Sequence, residues 1–219
     1  MFILQLFSDP FISSGTVLLV TFSIVLHELS HGLVAIWQGD ETPKETGHIS
    51  LNPVTHMGWS GIIFLMLLGI SWGSMPVNPH RFRNFRLGSV LVALAGPLSN
   101  LLLSVLFACL FVVLNHWSPP DELLVVQKNA SLLIYLGAVL NLVLCVFNLI
   151  PLPPLDGFQI IKQIIPSMEK LANNTSMLFL LLLLVFNIPG FSRMFYDNIE
   201  QAVRQMIRSS ATILSLKNF

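Results

Sequence analysis

The sequence predicts an all-α polytopic membrane protein. A core of three transmembrane helices would carry a polar site, with a short β or re-entrant segment after the first helix and an additional C-terminal span. Three observations predict this. Hydrophobic residues make up 54% of the chain and charged residues only 10%, against about 25% charged in soluble domains. The apolar residues gather into runs near the roughly 20 needed to cross a bilayer. The ionisable residues inside the first run follow metal-ligand spacing, and such groups in a bilayer are functional by default. Net charge is zero, so nucleic acid is not an expected partner.

The elements follow in order. Residues 1–13 form an N-terminal segment with neither a basic n-region nor a small-residue cleavage site. No signal peptide is expected, and the first span, about 14–37, should stay in the mature protein. A polar stretch follows, in which Thr46-GHISLNP alternates as a short strand would. Residues 58–75 are apolar but punctuated by Gly58, Gly61, Gly69 and Gly73. They are either a full span or a re-entrant segment within the strand/re-entrant region 40–75. The second span covers about 87–115 and the third about 131–150. Residues 14–166 make up the expected core. Residues 167–219 hold a short fourth span, 177–188, and an interfacial tail carrying Arg193, Arg204 and Arg208. Cys109 and Cys145 both fall in apolar spans and read as core residues rather than a disulfide.

The first span contains His27-Glu28-Leu29-Ser30-His31. Four residues apart on a helix, the two imidazoles project from one face, one turn apart. Glu28 lies about 100° round, within reach of a water on a shared metal. This is the zinc-protease arrangement, with the glutamate as general base. No Lys or Arg occurs in the first 43 residues to pair Glu28, so burial of these groups without a metal would be costly. A second motif, Asn148-LIPLPPLDG, ends the third span with three prolines before Asp156-Gly157. Prolines there stop the helix and leave carbonyls that need protein or water beside them. Asp156-Gly157 taken alone reads as a turn. Beside two histidines, Asp156 would complete a His-His-carboxylate zinc set.

With Ala95-GPLS-Asn100, these motifs resemble the three signatures of the site-2 protease family of intramembrane zinc metalloproteases, in the family's order. The resemblance covers about residues 15–165. It implies one zinc ion held by His27, His31 and Asp156, with Glu28 as the base. It further implies Asn148 near the scissile carbonyl, and Gly96 and Asn100 as site-shaping residues, an interhelical hydrogen bond being the other reading of Asn100. Gly47-HISLNP, His56 and Trp72-GSMPVNPHRFR resemble the compact bacterial-type members, which carry neither a PDZ nor a CBS domain. His48 and His56 are therefore candidates for substrate binding or site shaping. The usual N-P-x-x-H-x-D-P-x-G reads here with Gly58 for the Asp and Trp59 for the Pro.

The substrate implied is a transmembrane protein, cut after local unwinding. Residues 46–51 are expected to pair with the unwound peptide as an added strand. Water is expected to enter past residues 40–56 and 151–157. For His27, His31 and Asp156 to share a depth, the first and third spans must run in the same direction, which favours a re-entrant 58–75. That choice puts Lys44, Arg81, Arg83, Arg86, Lys162 and Lys170 on one side. By the positive-inside rule this side is cytoplasmic, and the site lies nearer that face of a bacterial cell membrane. Two other readings are open: a zinc-binding scaffold without activity, and a metal-ion transporter. Against the transporter, neither motif has a second copy, whereas transporters commonly show paired repeats.

Overall fold

The computed structural model describes residues 9–214, and among these every regular element is helical. Residues 1–8 and 215–219, parts of the expected N-terminal segment and interfacial tail, lie outside the described residues. Three helices are long and apolar enough to span a membrane. Leu18 and Leu102 are 70% and 71% exposed on two of them, as side chains facing lipid would be.

Helix α1, Pro10–Trp37, begins ahead of the predicted boundary. The Asp9 carboxylate accepts from the Ile12 N–H at 3.1 Å, and Pro10 fills the first turn, where no amide donor is needed. Helix α4, Phe85–His116, is capped in the same way by Asn84, which accepts from Leu87 N–H at 3.0 Å. Helix α5, Leu124–Asn148, starts well before the predicted Ser131. The polar run at its start is helical because Gln127 Nε2 donates to the carbonyls of Leu114 and Trp117, at 2.8 and 2.6 Å. These are terminal carbonyls of α4 that need donors.

Polar contacts inside the bundle reveal its directions. His31 meets the Val92 carbonyl and His27 meets Asn100, so α1 and α4 are antiparallel. Asn100 bonds Asn141 and Ser104 bonds the Ala138 carbonyl, so α4 and α5 are antiparallel. Helices α1 and α5 consequently run the same way, as a shared depth for the motifs requires.

Between α1 and α4 the expected strand is absent among the described residues. A helical turn, α2 at Thr42–Glu45, leads into turns and bends over 46–52. The local groups are used locally: His48 N–H donates to the Pro43 carbonyl at 2.8 Å, and Asn52 caps the next helix. An alternating pattern without a partner strand has no ladder to join. Helix α3, Pro53–Leu68, has 16 residues and is interrupted at Gly58, where φ of +62° suits glycine. At Gly69, also left-handed, the chain reverses. Residues 70–78 come back along α3 without regular structure. Ser71 Oγ donates to the Gly61 carbonyl at 3.1 Å and Ser74 N–H to the His56 carbonyl at 2.9 Å. The chain thus enters and leaves this segment at the same end.

Asp40 fastens that return. It is fully buried and accepts from Thr42 N–H at 3.0 Å and from Asn78 N–H at 2.6 Å. After α5, helix α6 (Asp156–Ile164) packs on α4. Helix α7, Thr175–Phe186, is bent by 79° from the helix that follows it. That helix, α8 (Pro189–Ile213), presses Ile199, Val203, Ile207 and Ala211 against Ala108, Val112, Ala138 and Leu142 of α4 and α5.

Orphaning a buried backbone donor costs about 1–3 kcal/mol. Asp40→Ala should therefore lower the melting temperature of the detergent-solubilised protein, and Asp40→Asn, which keeps one acceptor oxygen, should lower it less. Equal melting temperatures for all three proteins would show that Asp40 does not anchor the segment.

Candidate metal centre

The motif histidines face α4 in register. Val92, Gly96 and Asn100 recur every four residues and so share one face of α4, as His27 and His31 share one face of α1. In antiparallel contact, His31 Nδ1 lies 2.6 Å from the Val92 carbonyl oxygen and His27 Nδ1 lies 2.6 Å from Asn100 Oδ1. Gly96 sits between these two contacts, below the Nε2 ends of the rings. A Cβ there would lie 2.5 Å from His27 Nε2 and would also strike His31 Nε2. Pro97 is tolerated inside α4, where it leaves the Ala93 carbonyl without its helical donor.

Asp156 reaches the same point from just beyond the end of α5. The prolines after α5 end that helix, and α6 begins at Asp156 itself. Gly157 permits this start to lie against the end of α5, since a Cβ would collide with the Leu149 carbonyl. Asp156 Oδ2 lies 3.1 Å from His27 Nε2 and 3.4 Å from His31 Nε2, and the two Nε2 atoms are 3.0 Å apart.

The chemistry of this donor set is that of a cation site. A backbone carbonyl only accepts, so His31 Nδ1 carries the proton that reaches Val92 and Nε2 keeps its lone pair. Burial pushes the Asp156 carboxyl up, but the two imidazoles reverse this and hold it below the ordinary carboxylate range. Its buried Oδ2 has no neighbour of this kind but the two rings. Lone pairs and an anionic oxygen therefore converge on one point. Their spacings match the edges of a metal tetrahedron, about 3.3 Å for bonds of 2.0–2.1 Å. His27, His31 and Asp156 could hold a metal ion.

Glu28 is buried and lines the same cavity of about 680 Å³. Residues 71–75 cross in front of it, and a Cβ at Gly73 would be 2.5 Å from its Oε1. Asn148 also lines the cavity, with its Nδ2 donating to the Leu144 carbonyl one turn back at 3.0 Å. Gln159, Lys162 and Gln163 of α6 make up a polar part of the wall, together with Pro154 and Asp156. None of residues 40–56, the other expected water route, lines it.

Two sequence candidates stand outside the cavity. His48 is half-buried, and its Nδ1 contacts Thr46 at 2.9 and 3.0 Å. His56 is buried, with Nε2–H donating to the Ser50 carbonyl at 2.7 Å. Its own carbonyl receives Ser74, so it braces the segment that crosses Glu28. Three features escape a reading of motifs: Asn141 behind Asn100, the Val92 carbonyl, and the placing of residues 71–75 beside Glu28. The Gly in Trp72-Gly73-Ser74 was the one available signal for the last.

The model for peptidase family M50 matches residues 120–188, which include Asn148 and Asp156. A Bacillus subtilis (strain 168) protein named as a candidate zinc metalloprotease, YwhC, is 37% identical over 176 residues, covering 79% of this chain and 80% of its own. A Mycolicibacterium smegmatis protein named as a candidate zinc metalloprotease, Rip2, is 30% identical over 184 residues, covering 80% of this chain and 67% of its own. No solved structure gives a significant match.

Gly96→Ala puts a methyl group where the rings converge. It should reduce bound zinc from about one ion per chain, the number one ligand set holds, to near none, with helix content by circular dichroism unchanged. Full zinc content measured by atomic emission in that variant would mean the ion does not sit at this cluster.

Proposed function

This chain belongs to peptidase family M50, the site-2 protease family of zinc metalloproteases, and on that premise we propose that it cuts peptide bonds in or near transmembrane segments of membrane proteins. The observation that carries the proposal is the convergence of His27 Nε2, His31 Nε2 and Asp156 Oδ2 beside Glu28, within helices apolar enough to span a bilayer. These three residues are the proposed ligands of one zinc ion. When bound, zinc supplies a Lewis acid that polarises a carbonyl and lowers the pKa of water towards neutrality.

The chain's own residues do the rest. Glu28 takes the proton of the attacking water and returns it to the leaving amine nitrogen. Residues 71–75 shield Glu28 on one side and hold the unwound stretch of substrate against the cavity wall. Residues 46–51, which the sequence suggested for this role, lie outside the cavity lining. A helical substrate must unwind first, because its carbonyls are already hydrogen-bonded. Asn148, which also lines the cavity, donates to the carbonyl oxygen as it gains negative charge. Water enters past the polar face of α6. Lys162 lines the cavity close to Phe82 and Phe85 of the basic stretch, so the positive-inside rule puts the site nearer the cytoplasmic face.

The test is cleavage of transmembrane substrates by purified protein. Glu28→Gln should keep its zinc and lose at least about 100-fold in rate, the range of a general base. Asp156→Ala should lose both zinc and activity, and a chelator should abolish activity reversibly. Zinc bound by the wild type with no substrate cut would identify an inactive relative instead.

A further inference from the structure

Behind His27 stands a line of buried amides that the reaction does not use. Asn100 and Asn141 are both fully buried. Asn100 Nδ2 donates to Asn141 Oδ1 at 2.9 Å, and Asn141 Nδ2 donates to the Gly137 carbonyl, also at 2.9 Å. We propose that Asn141 is a positioning residue of the metal centre: acting through Asn100, it dictates which ring nitrogen His27 offers to the ion. The proposal rests on the reading of His27 as a zinc ligand.

The direction of the line is set at its far end. The Gly137 carbonyl can only accept, so the side chain of Asn141 must turn its NH₂ there and its oxygen towards Asn100. Asn100 then turns its own NH₂ to Asn141 and its oxygen to His27. A carboxamide oxygen only accepts, so the ring proton of His27 must be on Nδ1. The lone pair is left on Nε2, which faces Asp156 and His31. Reversing Asn100 would present NH₂ to Nδ1, draw the ring proton to Nε2 and remove the ligand. The His31 ring reaches the same tautomer by donating straight to the Val92 carbonyl. His27 has only a reversible amide in front of it, and Asn141 removes the ambiguity. Orienting partners of this kind are common behind metal-bound histidines.

Asn141→Leu has similar volume and no polar group, so Asn100 can face either way. Asn141→Asp, neutral when buried, offers one accepting oxygen to Asn100 and one O–H to Gly137, and so preserves the direction. Ser104→Ala removes a different hydrogen bond between the same two helices, the 2.8 Å bond to the Ala138 carbonyl, which has no link to His27. The readouts are the ¹⁵N shifts of histidine-labelled, metal-free protein and zinc affinity by chelator competition. Wild type and Asn141→Asp should show His27 protonated on Nδ1. Asn141→Leu should show a mixture with the Nε2–H form and bind zinc about tenfold more weakly, the lower end of outer-shell effects. Ser104→Ala should match the wild type in both measurements.

An unchanged tautomer and affinity in Asn141→Leu would overturn the proposal, as would an equal loss in Ser104→Ala. An Nε2–H form in the wild type would overturn it whether or not any variant folds. A wild type that binds no zinc would defeat the ligand reading separately, while the ¹⁵N spectrum would still decide the role of Asn141.

Discussion

Everything in this bundle is arranged around three electron-rich atoms that meet in an apolar interior. Two imidazole nitrogens and a carboxylate oxygen within 3.0 to 3.4 Å of one another repel unless a proton or a metal cation lies between them. Out of water that repulsion is strengthened, because the local dielectric is low. The metal that family M50 uses thus also relieves an electrostatic conflict written into the fold. Holding the three atoms together without metal falls to the packing of α1, α4 and the α5–α6 turn.

The helices meet this demand with small residues at the crossing points. Gly96 leaves space for both ring ends, and Gly157 lets α6 begin against the last carbonyls of α5. Gly73 allows the returning segment to lie over Glu28. Packing of helices in lipid relies on close approach and on interhelical hydrogen bonds, since lipid tails are as apolar as the helices themselves. Here the bonds that join the helices also touch the site. His27 to Asn100 to Asn141 links α1, α4 and α5 in one chain of contacts.

The wall facing Glu28 is built differently. It is an irregular stretch, returned along α3 and tied down by Asp40, His56 and Gly61. Backbone of this kind is tolerated at membrane depth where it borders protein or a wet cavity, and residues 71–75 border both. A three-helix side that holds the donors therefore faces an irregular stretch of chain across the cavity.

The sequence by itself determined the three spans, the His27, Glu28, His31 and Asp156 cluster and the family, because apolar length and fixed helical spacing are local properties. Its boundaries failed at 124–130, where Gln127 looks like loop until the carbonyls of α4 are seen to need it. It also failed at 46–52, because alternation cannot report whether a partner strand exists. Only the tertiary structure decided that residues 71–75 rather than 46–51 line the cavity, and that Asn141 stands behind His27. Each of these depends on contacts between residues distant in the chain, and whether an asparagine buried on one helix meets a histidine's neighbour on another is settled by packing alone.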